Sequence, residues 1–148
     1  MRTAVLSLAM LVAAAGTAVG SELGSDRWVR SVEQCTDKDP RWCAALHKQM
    51  TEEWPQALKG DYQAQRNVSY CLVDGCDGLV ERSKLLGCAW RAVILVSGSP
   101  KITDSDLTFF DRLCLRGLTP VELEVSKAQA ARIFAEVYKG RKAPSFPW

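Results

Sequence analysis

The sequence predicts an all-α protein made of stacked antiparallel helix pairs and cross-linked by disulfides. Three observations predict this class: apolar residues recur at helical spacing behind capping residues, alternating strand patterns are absent, and six cysteines follow a leader-like segment. Of the 148 residues, 47% are hydrophobic and 24% are charged. This composition is typical of one compact domain and excludes a disordered or collagen-like chain.

The charge balance argues against nucleic acid as a partner. The formal net charge is +2, and Lys and Arg are interspersed with Asp and Glu along the chain. A nucleic-acid-binding domain usually carries a clustered basic excess. No apolar run of membrane-spanning length occurs after residue 20. We therefore expect neither nucleic-acid binding nor stable membrane insertion of the mature chain.

Residues 1–20 have the three parts of a bacterial secretory signal peptide. The segment begins with Met-Arg-Thr, continues with an uncharged run rich in Ala, Leu and Val, and ends in the small residues Ala-Val-Gly. Cleavage after Gly20 predicts a periplasmic or secreted protein. The alternative is an uncleaved anchor, because residues 3–20 carry no charge and approach the length of a spanning helix. The Ala-rich composition and the polar segment that follows favour cleavage.

All six cysteines lie in the predicted mature chain. An even number in an exported protein indicates up to three disulfides, among fifteen possible connectivities. The sequence has no Cys-x-x-Cys pair, which disfavours a zinc site and a thioredoxin-like redox site, and His47 is the sole histidine. We therefore predict no metal and no cofactor. The cysteines are Cys35, Cys43, Cys71, Cys76, Cys88 and Cys114.

Two helices are predicted before residue 60. Residues 26–34 have a short helical pattern. Asp39 can then cap a second helix whose first residue is Pro40, a position where the missing N–H costs nothing. Pro55 is expected to end that helix. Its apolar stripe consists of Cys43, Leu46, Met50 and Trp54.

The next two helices form the centre of the chain. Asp61 can cap a helix that stops near Asp74 and Gly75, since glycine commonly ends a helix in the left-handed conformation. Ser83 can cap a helix over residues 84–97. Apolar residues lie almost all round that helix, so we expect it to be the central buried helix.

Two further helices and a tail complete the chain. Thr103 precedes a helix start at residues 104–106, and Thr119 and Glu122 fit the capping box of a last helix that Gly140 closes. The tail over residues 141–148 contains two prolines and should be extended. The predicted apolar faces are Leu107, Phe110, Leu113 and Cys114, then Leu123, Ala130, Ala131, Phe134, Val137 and Tyr138.

The two central helices resemble a known repeat. Gly75 and Gly78 permit a tight loop, the alanines let helices approach closely, and Tyr70 and Trp90 are expected to fill the space beside them. The residues that carry the resemblance are Ala64, Tyr70, Gly75, Gly78, Lys84, Leu86, Ala89, Trp90, Ala92, Ser97 and Gly98. In order and spacing they are similar to the Sel-one-like repeat, a relative of the tetratricopeptide repeat of about 34 residues.

This resemblance implies an organisation and a function. The recognisable repeat covers residues 61–98, and residues 26–60 and 103–140 would be degenerate flanking pairs of similar-sized helices, giving a repeat domain over 21–140. Repeat stacks of this α/α-superhelical type present a concave binding surface. The resemblance therefore implies an interaction or adaptor module for an envelope protein. The alternative is a hydrolase or ligand-binding protein that acts on cell-wall or β-lactam compounds, which some cysteine-rich relatives suggest.

The resemblance also bears on the disulfides. In exported cysteine-rich members of the family, a bridge joins two helices through cysteines with seven residues between them, and Cys35 and Cys43 have that spacing. For the other four cysteines two arrangements remain open. The preferred one pairs Cys71 with Cys76 and Cys88 with Cys114. The other pairs Cys71 with Cys88 and Cys76 with Cys114.

No catalytic motif is present, so we predict a protein that is not an enzyme. Nucleophile elbows, paired metal-binding histidines and phosphate-binding glycine loops are all absent from the sequence. His47 is interpreted as a half-covered boundary residue. Glu52 or Glu53 with Asp74 or Asp77 would supply the two carboxylates of a glycosidase, but a solvated helix end is the favoured interpretation. Two tryptophans near the mature ends are expected to clasp the helices or to form a recognition patch: Trp28 and Trp148.

Overall fold

The computed structural model describes residues 23–148, which are mostly helical; the predicted signal peptide lies outside the described residues. In this part of the chain there is no strand, and one isolated antiparallel bridge joins Val29 to Val80. The all-α prediction is confirmed. The helices are α1 (Ser25–Trp28), a 3₁₀ turn (Val32–Gln34), α2 (Pro40–Leu58), α3 (Tyr62–Asp74), α4 (Lys84–Val96), α5 (Asp104–Phe109) with a π-helical continuation (Phe110–Leu115), and α6 (Pro120–Val137).

Predicted capping residues begin the long helices. The Asp39 carboxylate accepts a hydrogen bond from the Arg41 N–H at 2.9 Å, and Asp61 accepts one from the Ala64 N–H at 2.8 Å. Thr119 forms a full capping box with Glu122. Each cap satisfies backbone donors that the first helical turn leaves free. The starts of α2, α3 and α6 were therefore predictable from single residues.

The core is built around α4, as the sequence predicts. This helix packs against α3 on one side and α6 on the other, while α3 also packs against α2. Trp90, Ala89 and Ala92 of α4 are fully buried, and Ala64 of α3 is buried beside them. Small residues at these positions let the helices approach closely while the indole fills the remaining volume.

The structure contains three disulfides, in the preferred arrangement. Cys35 pairs with Cys43, Cys71 with Cys76, and Cys88 with Cys114. The arrangement that paired Cys71 with Cys88 and Cys76 with Cys114 is wrong. The first bridge joins the 3₁₀ turn to α2, the second closes the end of α3, and the third ties α4 to the π-helical segment. Three disulfides fit a protein that folds outside the reducing cytoplasm.

The loop after α3 depends on glycine. Gly75 ends the helix in the left-handed conformation with φ at 95°, and a Cβ atom there would lie 2.6 Å from the Arg82 Nε. Gly78 has φ at 81°, and a Cβ atom there would lie 2.8 Å from the Gln34 carbonyl oxygen. Both positions therefore need glycine for backbone conformation and for space, in agreement with the predicted tight loop.

The first predicted helix is wrong in extent. Residues 26–34 form a single α turn and a 3₁₀ turn, with extended backbone between them. The Arg30 N–H donates to the Leu79 carbonyl at 2.8 Å, and the Glu81 N–H donates to the Trp28 carbonyl at 2.9 Å. These bonds to the loop after α3 replace helical bonds. The flanking pairs are accordingly unequal in helix length, which differs from the expected pairs of similar-sized helices.

Pro55 does not end α2, because the helix continues through it to Leu58. A proline inside a helix costs about 3 kcal/mol. Trp54 and Ala57, on either side of it, are both fully buried, and the Trp54 indole N–H donates to the Leu23 carbonyl at 2.6 Å. Burial of these side chains offsets the lost backbone hydrogen bond.

Three residues of the predicted core lie at the surface. Tyr70 is 52% exposed, Leu107 is 53% exposed, and Ala131 is exposed. Leu107 faces solvent because its neighbour Asp106 occupies the buried side of α5. The π-helical turns that follow then shift the register of the apolar face. On α6, Ala130 and Phe134 are buried as predicted, and Ser126 and Ile133 complete the buried face.

Residues 142–148 of the C-terminal tail form no helix or strand, and the tail packs back on the core through its aromatic residues. The Trp148 ring lies 4.9 Å from the Phe110 ring, and Phe146 packs against Phe134 at 6.1 Å. Trp28 also packs against the core from the other end of the described chain. The clasp interpretation of these two tryptophans is confirmed. No helix within residues 23–148 has the length and apolarity to cross a membrane.

Candidate functional site

A groove with exposed aromatic walls runs between α2 and α3. Its volume is about 340 Å³. We call it the aromatic groove, and its lining consists of Trp42, Leu46, Gln49, Met50, Asn67, Tyr70, Cys71, Asp74, Cys76 and Asp77. Side chains of aromatic, apolar, amide and carboxylate type therefore meet on one surface, which is the composition of a recognition site.

Trp42 and Tyr70 are the large aromatic residues of this groove. They are 49% and 52% exposed, respectively. The Trp42 indole N–H donates to the Asp77 carboxylate at 2.9 Å, which fixes the ring orientation. An exposed ring that is already ordered, as that of Trp42 is, binds a partner with a small loss of conformational entropy.

The floor and the acidic end of the groove are rigid. Leu46 and Met50 are buried beneath it, and the Cys71–Cys76 disulfide closes its end. Cys76 and Asp77 have φ at 41° and 54°, a left-handed conformation that non-glycine residues seldom adopt. The disulfide and the hydrogen bond from Trp42 hold this turn, so the carboxylate of Asp77 is placed before any ligand arrives.

Two carboxylates at this end form no ion pair, although the Arg82 Nε donates to the main-chain carbonyl of Asp74 at 2.5 Å. The Asp74 carboxylate accepts a hydrogen bond from the Cys76 N–H at 3.1 Å, and that of Asp77 accepts one from Trp42. Within residues 23–148, no Lys, Arg or His nitrogen forms an ion pair with either group. Their remaining oxygen lone pairs are open to a positively charged or hydrogen-bonding ligand.

A network of side chains orders the middle of the groove. Glu53 accepts hydrogen bonds from the Asn67 amide at 2.8 and 2.9 Å and from the Gln49 amide at 3.1 Å. The Asn67 carbonyl oxygen in turn accepts from the Gln63 amide at 2.9 Å. The network links α2 to α3 across the groove and leaves no freely rotating amide there.

The groove continues over α3 towards α5. Tyr70 and Asn67 also line the next depression, which has a volume of about 370 Å³ and reaches Arg66, Arg91 and Phe109. Tyr70 therefore stands between an acidic end, formed by Asp74 and Asp77, and an end that contains two guanidinium groups.

At this second end lies a buried ion cluster, the Asp106 cluster, of Tyr62, Arg66, Arg91 and Asp106. Asp106 is 0% exposed and Arg91 is 3% exposed. The Asp106 carboxylate accepts hydrogen bonds at 2.5 Å from both the Arg91 guanidinium and the Tyr62 hydroxyl, and the Arg66 Nε lies 2.8 Å away. The Arg91 guanidinium also lies 4.1 Å from the Phe109 ring centre. These contacts fasten α5 to α3 and α4.

The cluster keeps Asp106 ionised. Burial raises the pKa of its carboxyl, but the hydrogen bond from Tyr62, the bond from the Thr103 N–H, and the charges of Arg66 and Arg91 together lower the pKa below its usual value. Burial and the bond to Asp106 raise the pKa of Tyr62. One carboxylate therefore faces two guanidinium groups, and the cluster has an excess positive charge.

The residues considered for catalysis do not assemble. His47 is half-buried and is not part of the groove lining. Glu52 is exposed and lies 3.7 Å from Lys48, while Glu53 binds Asn67. Asn67 and Asp74 are seven residues apart on α3, or about 10 Å along its axis. Glu53 therefore bonds to α3 about two helical turns before the acidic end of the groove.

Two features that organise this surface, the burial of Asp106 and the exposure of Tyr70, are not predicted from the sequence. The helix-start pattern indicates only a capping role for Asp106, although Arg91 carries a signal: it is the only charge over residues 85–96 of an apolar helix, and a buried charge requires a partner. Tyr70 was assigned to the core because of the repeat resemblance. Its position with Gln63, Asn67 and Asp74 on one stripe of α3 is the signal for an exposed polar face.

The described residues contain no group of three or more His, Cys, Asp or Glu side chains placed to hold a metal ion. The chain matches no known family model, no curated protein and no solved structure.

Proposed function

We propose that the protein is an interaction module of the bacterial cell envelope, periplasmic or secreted, which holds a protein partner in the aromatic groove. One observation carries the proposal: two exposed aromatic side chains, Trp42 and Tyr70, flank an apolar floor, and Trp42 is fixed by its hydrogen bond to a disulfide-closed turn. Interfaces draw their affinity mainly from a few such aromatic anchors.

The scaffold proposal is a Sel-one-like repeat over residues 61–98 with divergent flanks. It is supported by the left-handed conformations of Gly75, Gly78 and Gly98, and by the burial of Ala89 and Trp90. Tyr70 departs from the expected packing role, because its ring is exposed. In this chain the repeat tyrosine would serve the binding face.

Binding is favoured over hydrolysis by the lining of the groove. Its two cysteines are joined in a disulfide, and its lining includes no histidine or serine. A hydrolase of the serine or cysteine type needs a nucleophile with an adjacent base. Asp74 and Asp77 are instead available for contacts with a partner.

Site-specific photo-crosslinking in the cells that make the protein tests this proposal. A photoreactive phenylalanine analogue replaces Tyr70 in the full chain, and the control carries the same analogue at Val121, which is 74% exposed on α6. We expect one defined adduct from position 70, lost when Trp42→Ala is added, and no such adduct from position 121. Equal adducts from both positions would refute the groove as the binding site.

A second candidate is a cell-wall ligand. Exposed aromatic rings beside carboxylates and amides are also suited to a sugar, whose apolar face stacks on a ring while its hydroxyls bond to polar groups. Sedimentation with purified cell wall separates the two candidates. If the cell wall retains the protein, Trp42→Ala abolishes that retention and no protein adduct forms, the glycan is favoured. If retention equals that of a bovine albumin control, the glycan is excluded.

A further inference from the structure

We propose that the groove recognises an extended peptide segment with a basic residue and an acidic residue four positions apart. The inference rests on the proposed function and adds the chemistry of the partner. It follows from three observations: unpaired carboxylates at one end, excess positive charge at the other, and the distance between them along α3.

The acidic end suits a Lys or Arg side chain. Asp74 and Asp77 have open lone pairs, and Trp42 and Tyr70 stand beside them with exposed rings. A cation in this position gains from both carboxylates and from the faces of the rings. A neutral polar side chain would obtain only hydrogen bonds.

The opposite end suits a carboxylate. Arg66 and Arg91 share the single charge of Asp106, so one positive charge is uncompensated. Arg91 is buried, whereas the side chain of Arg66 is 30% exposed and donates to the Ser105 hydroxyl at 3.0 Å. Arg66 is therefore the group that a ligand carboxylate can reach.

The spacing follows from helix geometry. Arg66 and Asp74 are eight residues apart on α3, which corresponds to about 12 Å along the helix axis. An extended peptide advances about 3.3 Å per residue, so four residues span about 13 Å, and residues an even number apart point to the same side. The basic and acidic residues should therefore have three residues between them. The central one faces Tyr70 and Asn67.

Peptide titrations followed by NMR test the inference. The probes are capped octapeptides on a Ser–Ala background, with Lys and Asp separated by two, three or four residues, in both orders. The reporter is the indole N–H resonance of Trp42, which bonds to Asp77 and is assigned through Trp42→Phe. In one of the two orders, the peptide with three residues between Lys and Asp should bind best. Replacing its Lys by Gln should weaken binding about two- to fivefold, as expected for an exposed ion pair.

Matched variants separate this inference from the proposed function. Asp74→Asn with Asp77→Asn keeps the hydrogen-bond acceptors for Cys76 and Trp42 but removes the charges; it should abolish the preference for Lys over Gln and leave that for Asp over Asn. Asp74→Lys combined with Asp77→Asn replaces both negative charges by one positive charge, so it should reverse the preference: a peptide with two Asp residues should bind better than the Lys–Asp peptide.

Two results would overturn the inference. One is equal binding of the Lys and Gln peptides by the unsubstituted protein. The other is a Trp42 indole resonance that does not change at millimolar peptide concentration, whether or not cell-wall fragments shift it. If the adduct from position 70 still forms in either case, the proposed function stands and only the peptide chemistry is wrong. Absence of that adduct would refute the proposed function itself.

Discussion

The Asp106 cluster and the acidic end of the aromatic groove both contain carboxylates beside aromatic rings, but they differ in burial and pairing. Asp106 is 0% exposed and contacts two guanidinium groups and a tyrosine hydroxyl. Asp74 and Asp77 lie at the surface with no cation paired to them within the described chain. The acceptors of Asp106 are satisfied by contacts within the fold, whereas those of Asp74 and Asp77 remain partly open to a partner.

This difference assigns stability to Asp106 and recognition to Trp42 and Tyr70, while Arg66 contacts Asp106 and keeps an exposed edge for a partner. Arg66 stands at the cluster and Tyr70, one turn later, stands in the groove. Substitutions at the cluster should therefore lower the free energy of unfolding, and substitutions at Trp42 or Tyr70 should change binding alone.

Removing the Asp106 carboxylate should have the largest effect on stability. Asp106→Ala leaves Arg91 charged, buried and unpaired, which typically costs 3–5 kcal/mol. Urea unfolding of the variant measures the loss. Asp104→Ala, an exposed substitution in the same helical turn, is the matched control and should cost less than about 1 kcal/mol. A similar cost for both variants would contradict a structural role of the cluster.

The disulfides should rank by the length of chain that they close. Cys88 and Cys114 are separated by 26 positions, and their bridge should contribute about 3.6 kcal/mol in the chain-entropy model. Cys35 and Cys43 are separated by 8 positions, and theirs should contribute about 2.6 kcal/mol. Paired Cys→Ala variants, compared by thermal unfolding, check the order. The reverse order would mean that native packing outweighs loop closure.

The pH dependence of stability should reveal the Asp106 cluster. The folded pKa of Asp106 is lowered, so its contribution is complete above the unfolded pKa of about 3.9 and is lost as the pH falls through the folded value. The stability difference between the unsubstituted protein and Asp106→Asn should therefore be constant above about pH 5 and shrink below pH 4. Urea unfolding between pH 2 and 7 measures it. A constant difference over the whole range would show that folding does not lower the pKa of Asp106.

Substitutions in the groove should have the smallest effect on stability. Trp42→Ala and Tyr70→Ala remove half-exposed rings, so each should change the free energy of unfolding by less than about 1 kcal/mol. Trp90→Ala, which removes a fully buried ring, should cost about 3–5 kcal/mol in the same assay. If Tyr70→Ala destabilises as much as Trp90→Ala, the tyrosine belongs to the core after all.

Local signals in the sequence predicted most of the fold. Capping residues such as Asp61 and Thr119 act through one or two backbone bonds, so their roles are visible without tertiary contacts. The burial of α4 followed from apolar residues all round it. The prediction that Pro55 ends α2 is wrong because the burial of Trp54 and Ala57 outweighs the local penalty of a proline. That burial depends on packing partners far along the chain.

The candidate site was less predictable, because it depends on residues brought together by the fold. Trp42 and Asp77 are 35 positions apart, and their hydrogen bond depends on the conformation of the Cys71–Cys76 turn. The pairing of Arg91 with Asp106 requires α5 to pack against α4, although the charge of Arg91 within the apolar run 85–96 indicates that a partner exists. The resemblance to a repeat placed Tyr70 in the core, whereas its neighbours on α3 indicated an exposed face.

The most direct test of the account is the adduct yield from photo-crosslinking at Tyr70 with and without Trp42→Ala, at equal amounts of folded protein. We predict a defined adduct with Trp42 present and at least a tenfold loss of adduct without it, while the thermal unfolding midpoint stays nearly constant. An undiminished adduct in the Trp42→Ala variant would contradict the assignment of the aromatic groove as the binding site.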